Sequence, residues 1–384
     1  MMAGSIKKRG ENKFLVRIYM GLDTQGKRIY HNKTIHGSKK DADRYLNKTL
    51  RERDTGTFVE PSKESLSDYL EKWLETVVKQ RVREKTYLDY KDRVRLYLNP
   101  ALGEKTLHQV KPDDIQAAYN SMMERGLSPR SVRYAHTILK NALDQAVRWG
   151  KLYRNPADLV DLPRQKKEEM KVLTPEQAAA FMEATIYSPW KAFFSLLLAS
   201  GMRPGEALGL KWGDVDFANK RVTVNRSLTR TKGSGWTLEE PKTARSRRTI
   251  PLPSTVVKDL KEHEKQQKAE ILAAKPGKYK EQGFVFAAEN GEPMSDKNIM
   301  RRHFKPLLES AGLPDIRIYD LRHTCATLLL AAGENPKVVS ERLGHASITL
   351  TLDTYSHVLP DMQAAAAEKL EGILFNGTQN GTQK

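Results

Sequence analysis

The chain of 384 residues has a single cysteine, Cys325, which excludes an internal disulfide and any multi-cysteine zinc site. Cys325 falls in the apolar run CATLLLAA, where a small buried thiol fits, and it is assigned no chemistry. No stretch approaches the roughly 18 consecutive apolar residues of a membrane-crossing helix. The opening MMAGSIKKRGENK has no apolar signal-peptide core either, so the expectation is a cytoplasmic protein with no membrane partner. Acidic residues are in deficit as well: 47 Asp and Glu stand against 65 Lys and Arg, a formal charge of +18 that draws a polyanion to the surface. A basic protein whose charge serves only solubility has the same composition, so charge alone does not decide. Hydrophobic residues, at 39%, suffice for real cores, and a chain of this length predicts two or three separately folded units. No repeat with a period of about 20 to 50 residues recurs, which argues against a solenoid.

Residues 1–60 hold 14 Lys and Arg but only 7 Asp and Glu, the composition of a dedicated polyanion-binding module. In NKFLVRIYMG, Phe14, Val16 and Ile18 alternate with Leu15, Arg17 and Tyr19; Asp23 to Gly26 supplies turn chemistry, and KRIYHNKTI reads as a second strand. A helix follows from Ser38, with Asp41 at capping-box spacing and Ala42, Tyr45, Leu46 and Leu50 as its buried face. A small sheet backed by one helix can lay strands in a DNA major groove, with Arg17 and Tyr19 as candidate contacts. A basic sheet domain that contacts protein reads the same way.

The polar stretch TGTFVEPSKES precedes a change to helical periodicity, with Leu66, Tyr69, Leu70, Trp73, Leu74, Val77 and Val78 in phase. Further helical patterns run from Thr86 to Leu98, Lys111 to Arg125 and Ser128 to Trp149, so 64–160 reads as an all-α domain. Its last helix turns Val132, Ala135, Leu139, Ala142, Leu143 and Ala146 inward and leaves Arg130, Arg133, Lys140 and Arg148 for phosphates or for solvent. RNPADLVDLPRQKKEEMK is a connector, rich in Pro and charge. A third domain spans 171–375, opening on the helix start Thr174-Pro175-Glu176-Gln177, and 376–384 reads as a flexible tail. The fold class expected is a small α+β N-terminal domain, an all-α domain, and a mainly α domain with a small antiparallel sheet.

Candidate chemistry gathers in the third domain. The apolar helix KAFFSLLLAS ends at Gly201, which puts Arg203 at a tight turn before Pro204, where a guanidinium at a positive helix end suits a phosphate oxygen. Glu206, three residues on, is spaced to hold that guanidinium, although the pair alone is ordinary. Two strand-like runs, RVTVNRSLTR and RRTIPLP, enclose GSGWTLEEPKTARS, so Lys242 lies in or beside a hairpin turn. A turn lysine is usually solvated, but near other cations its ammonium could protonate a departing oxygen. In YDLRHTCATLLLAAG, Arg322 and His323 open a helix, with Tyr319 one turn before Arg322. A helix carrying Val338, Val339 and Leu343 ends in LGHAS at His345, and Tyr355 follows in TLDTYSHVL. A phenol titrates near 10, so Tyr355 needs a cationic pocket or a base before it can attack.

The series R-P-G-E, P-K-T, L-R-H-T, L-G-H-A-S and a tyrosine ten residues after His345 resembles the catalytic domain of the tyrosine recombinases, the phage-type integrase family. Residues 1–60 resemble the arm-binding domain of conjugative-transposon integrases, and 64–160 their core-binding domain. The resemblance implies that Arg203 and Arg322 hold the non-bridging oxygens of the scissile phosphate, Lys242 is the general acid, His345 assists and Tyr355 attacks. It implies a covalent 3′-phosphotyrosine, strand exchange through a Holliday junction, and no cofactor, neither ATP nor metal. The partners implied are double-stranded DNA with core-type and arm-type sites, an accessory excisionase or host DNA-bending protein, and further copies of the chain. The last of these follows from DMQAAAAEKLEGILF, whose Met362, Ala366, Leu370 and Ile373 share a helical face that would dock on a neighbour in a homotetramer. One departure stands out: the family often has His three residues before the second Arg, and here the place is taken by Tyr319, which can donate to phosphate but carries no positive charge. A DNA-binding regulator that has lost cleavage, and a topoisomerase without site preference, are the competing functions. A covalent adduct excludes the first, and the added 1–60 module argues against the second.

Overall fold

The computed structural model describes residues 4–60, 62–165, 170–231, 233, 235–240, 247–355 and 360–375. Two compact units divide the chain, Met1–Lys167 and Glu168–Lys384. No helix among the described residues is long and apolar enough to cross a membrane.

The first unit contains two separate apolar cores. Its N-terminal part is an antiparallel meander of β1 (Gly4–Gly10), β2 (Lys13–Leu22) and β3 (Arg28–His36). The β2–β3 turn closes because the Asp23 carboxylate accepts from the backbone N–H of Gln25 and Lys27, at 2.9 and 2.8 Å. Val16 and Ile18 turn to one face and are fully buried with Ala42, below the helix Lys39–Asp54. That helix begins as its sequence dictates: Ser38 caps it, and Ser38 and Asp41 form a reciprocal capping box. β1 is a strand that hydrophobic periodicity does not reveal, since in GSIKKRG only Ile6 is apolar.

The helical part of the unit starts with Leu66–Trp73, which continues through a π-helical turn, Leu74–Val78, into Lys79–Arg81. Glu84–Arg93 does the same through Val94–Leu98, and Pro112–Glu124 and Pro129–Arg148 complete the bundle. The inward residues expected of the last helix, from Val132 to Ala146, are all fully buried. The buried Tyr69 hydroxyl is satisfied by donating to the Ala142 carbonyl at 2.7 Å.

In the second unit a phenylalanine cluster, Phe181, Phe193, Phe194, Phe286 and Phe304, fills the centre, with neighbouring ring centroids 5.1–5.6 Å apart. The helix Pro175–Ala184 opens on the Thr174–Gln177 capping box. Helix Lys191–Ser200 lies deep in the core and packs against Asp320–Ala331, which brings the turn that follows the first helix and leads to Arg203 next to Arg322 in the first turn of the second. A small antiparallel sheet of β4 (Val215–Asp216), β5 (Arg221–Val224) and β8 (Arg248–Pro251) flanks a separate hairpin of β6 (Ser227–Thr231) and β7 (Gly235–Glu239). The segment enclosed by the two strand-like runs therefore holds a strand of its own. Helices Pro336–Leu343, Ile348–Tyr355 and Pro360–Phe375 end the described chain. Val339 and Leu343 are buried but Val338 is 53% exposed, because adjacent helical residues cannot both face one core.

Candidate active site

Helix Lys191–Ser200 stops at Gly201, whose φ of 66° is left-handed. No side chain fits there, since a Cβ would stand 2.6 Å from Leu343 and 3.4 Å from the Cys325 sulfur. The Gly201 carbonyl accepts from Arg322 Nη1 at 2.7 Å. Arg322 is only 1% exposed, and its Nη2, also buried, has no hydrogen-bond partner among the described residues. An unfilled donor on a buried cation is costly unless a ligand fills it, and the fitting ligand is an oxyanion. Burial, with the nearby charge of Arg203, pushes the Arg322 guanidinium down to about 10, which leaves it charged at neutral pH.

Arg203 caps the short helix Pro204–Leu208. Its N–H donates to Glu206 Oε2 at 2.9 Å and its Nη1 to Glu206 Oε1 at 2.7 Å, so the expected pairing forms. Glu206 also accepts from Arg248 of β8, at 2.8 Å from Nη2 and 3.3 Å from Nη1. Burial works to raise the Glu206 carboxyl, but the Arg248 hydrogen bond and the charges of Arg248 and Arg203 outweigh it and hold the group below its ordinary range. Arg248 reaches further: its Nε donates to the Arg342 carbonyl at 2.6 Å, tying β8 to the turn that carries His345. Gly344, with φ 68°, keeps that turn close, since a Cβ there would meet Arg248 Nη1 at 3.0 Å.

His345 shares a hydrogen bond with Thr351 Oγ1 at 2.7 Å. Burial first, then the charges of Arg322 and Arg203, lower its imidazole to about 4, so it is neutral at pH 7. Tyr355 is fully buried among Ala326, Leu330, Val339 and Leu343. Its hydroxyl meets His323 Nδ1 at 2.8 Å. Burial raises the phenol above its ordinary value and the Arg322 charge only partly offsets this. The imidazole at the phenol is thus His323, to which the motif reading gave no role, while His345 faces Thr351. Tyr319, 38% exposed, hydrogen-bonds Arg203 and sets its ring edge-on to His323 at 5.2 Å.

Arg203, Glu206, Arg322, His345, Tyr319 and Tyr355 therefore belong to one connected site, and Lys242 lies outside the described residues. Sequence reasoning missed Arg248 and His323. For His323 the only signal was its place beside Arg322; for Arg248 there was none beyond an arginine pair opening a strand. In the first unit, Arg17 lies over the Tyr30 ring at 3.9 Å and Tyr19 meets the same ring edge-on at 5.7 Å, on the sheet face opposite Val16 and Ile18. Arg130 and Arg133 line an open groove with Arg93, and Arg133 Nη1 donates to the Pro163 carbonyl at 3.1 Å.

Comparison with known proteins gives concordant matches. Residues 171–362 match the Phage integrase family and residues 65–123 match "Phage integrase, N-terminal SAM-like domain". A tyrosine recombinase XerC-like protein of Caldanaerobacter subterraneus subsp. tengcongensis is 33% identical over 96% of this chain and 98% of its own. The ICEBs1 integrase of Bacillus subtilis is 29% identical over 75% of this chain and 78% of its own. Among solved structures, the Tn1549 transposon integrase in complex with a circular intermediate DNA superposes with a TM-score of 0.70 at 28% identity, covering 80% of this chain and all of that one.

Proposed function

Since the chain belongs to the phage integrase family and is a tyrosine-type site-specific DNA recombinase, we propose that Tyr355 is its nucleophile and that Arg203 and Arg322 hold the scissile phosphate. The observation that carries this reading is the buried Arg322, with one N–H on the Gly201 carbonyl and Nη2 unfilled. A phosphate oxygen completes that donor set, and Arg203, fixed by Glu206, supplies the second fork. As the phenol oxygen bonds to phosphorus, charge grows on the non-bridging oxygens, and two guanidiniums already aimed there stabilise it without reorganising. Removing one such donor typically costs about 100- to 1,000-fold in rate. His345, neutral at pH 7, donates rather than repels, and Lys242 protonates the departing 5′ oxygen. The 3′-phosphotyrosine conserves the bond energy, and attack by a 5′-hydroxyl of another strand rejoins the DNA with the partners exchanged.

The reading extends to a mobile element of the conjugative-transposon kind, in keeping with the ICEBs1 and Tn1549 relatives. Domains at 1–60, 64–160 and 171–375 would bind arm sites, bind core sites and carry the chemistry. Arg17 and Tyr19 serve the arm site and Arg130 and Arg133 the core site; Arg17 is exposed beside the half-buried Tyr19, and Arg130 and Arg133 line a groove. Four copies would assemble on paired sites in the cytoplasm, with an accessory excisionase or host DNA-bending protein setting direction. Leu370, Ile373, Leu374 and Phe375, exposed on the last helix, are what a neighbouring copy would cover. The test is a nicked core-site duplex from the DNA flanking the gene: wild type should accumulate a covalent protein–DNA adduct and Tyr355→Phe none. A normal adduct from Tyr355→Phe ends the assignment.

A further inference from the structure

A phenol that attacks phosphorus must lose its proton, and the acceptor must stand within about 2.6 to 3.2 Å of the phenol oxygen. His345 is engaged with Thr351, Glu206 with Arg203 and Arg248, and Asp320 with Arg317. His323 Nδ1 alone among the described imidazoles and carboxylates meets the Tyr355 hydroxyl, at 2.8 Å. We propose that His323 accepts the Tyr355 proton during attack and returns it during rejoining, with Tyr319 holding the imidazole in place. The inference rests on the reading of Tyr355 as nucleophile and supplies that reaction with its base.

The protonation states agree with this role. Burial lowers the His323 imidazole and raises the Tyr355 phenol, so both are neutral at pH 7. In this role the phenol donates the hydrogen bond and Nδ1 accepts it, which requires the tautomer with its ring proton on Nε2. The groups that set the imidazole's basicity are Asp320, which favours its charged form, and Arg322 and Arg317, which oppose it; His345 faces it as well. Arg322 also favours the phenolate. Tyr319, where related recombinases often carry His, fixes the plane of the His323 ring and links it to Arg203. In cleavage, the Oη–P bond forms as the Oη–H bond breaks, and the proton moves to Nδ1 to give imidazolium. The P–O5′ bond breaks, and the 5′ oxygen takes a proton from Lys242. In rejoining, the 5′-hydroxyl gives its proton back to Lys242 and the departing Tyr355 oxygen recovers its own from His323, so no other reactant enters.

The test is single-turnover cleavage of the nicked core-site duplex by the full chain. His323→Gln should bind DNA normally and form adduct about 100- to 10,000-fold more slowly at pH 7, the usual range for a lost acid or base. That deficit should shrink as pH rises and hydroxide substitutes. Replacing the 5′ bridging oxygen of the scissile phosphate by sulfur creates a leaving group that needs no acid. Sulfur should therefore rescue Lys242→Ala and leave His323→Gln slow. Installing 3,5-difluorotyrosine at 355, a more acidic phenol, should rescue His323→Gln, which a merely structural defect would not allow. Undiminished cleavage by His323→Gln, or its rescue by sulfur, overturns the assignment. If His323→Gln fails to bind DNA, the acid limb of the wild-type pH profile decides: it must flatten with difluorotyrosine, and an unchanged limb overturns the proposal. An adduct on a residue other than Tyr355 rejects the nucleophile itself and is told apart by mapping the modified peptide.

Discussion

Arg322 and Tyr355 of the second unit are fully buried and Arg203 is half-buried, yet the arginines and the tyrosine are kept in opposite conditions. Arg203 and Arg322 are charged before any substrate arrives, and the protein maintains those charges at a desolvation cost: Glu206 sits between Arg203 and Arg248, and a carbonyl serves Arg322. Tyr355 is neutral, stored among Ala326, Leu330, Val339 and Leu343, with its single hydroxyl satisfied by His323. A buried neutral phenol with one hydrogen bond costs little, whereas a buried guanidinium must be held by fixed partners. In the proposed mechanism the phosphate-binding half of the site is therefore built in advance, and the nucleophile is brought into play by the substrate.

The sharpest way to break this contrast is to remove the charge that supports the guanidiniums. Glu206→Gln keeps the shape but leaves Arg203 and Arg248 facing an amide. Breaking a buried ion pair in this way typically costs about 3 to 5 kcal/mol, read as an earlier urea-unfolding transition of the second unit. Tyr355→Phe, which removes only one hydroxyl from the stored side chain, should move that transition far less. Equal shifts for the two variants would erase the distinction between the two halves.

His345 sharpens the comparison through pH. Its folded-state value, lowered to about 4, lies below the ordinary imidazole value near 6.5. Between these values the unfolded chain binds more protons than the folded one, so His345 contributes stability that is present above pH 6.5 and lost as pH falls towards 4. His345→Gln should flatten the melting temperature over that window and leave it unchanged at pH 8. A wild-type profile already flat between pH 4 and 6.5 would contradict the burial and arginine charges that lower this imidazole.

How far the site could be read from sequence follows from where its contacts lie. The Ser38–Asp41 and Thr174–Gln177 boxes and the Arg203–Glu206 pair are three residues apart, within the reach of helix geometry, and all three form. Long-range contacts carry no such mark. Arg248 meets Glu206 across 42 residues, and His323 meets Tyr355 across 32. The imidazole that sequence could place near the phosphate was His345; only the packing of Ile348–Tyr355 against Asp320–Ala331 gives His323 the phenol. β1 was illegible for another reason: Lys7, Lys8 and Arg9 mask an alternation in which Ile6 pairs with Val16. An edge strand with a solvated face needs few apolar residues.

The smallest expected effect lies in the first unit, where the charges are arranged differently again. Arg17 is exposed and stacked on Tyr30, not locked in a buried carboxylate pair, so its charge remains open to a mobile polyanion. A phosphate contact of this kind releases about one counterion, so Arg17→Ala should weaken binding to an arm-site duplex and reduce the slope of log K against log salt by about 1. Cleavage of a nicked core site lacking arm DNA should be unchanged, because Glu206 joins Arg203 to Arg248 within the second unit. Comparing the two measurements in one variant separates affinity held at an exposed sheet face from rate held in the carboxylate-paired arginines of the second unit. Slowed core-site cleavage by Arg17→Ala would show that the sheet takes part in chemistry, and the division of labour between the two regions would have to be redrawn.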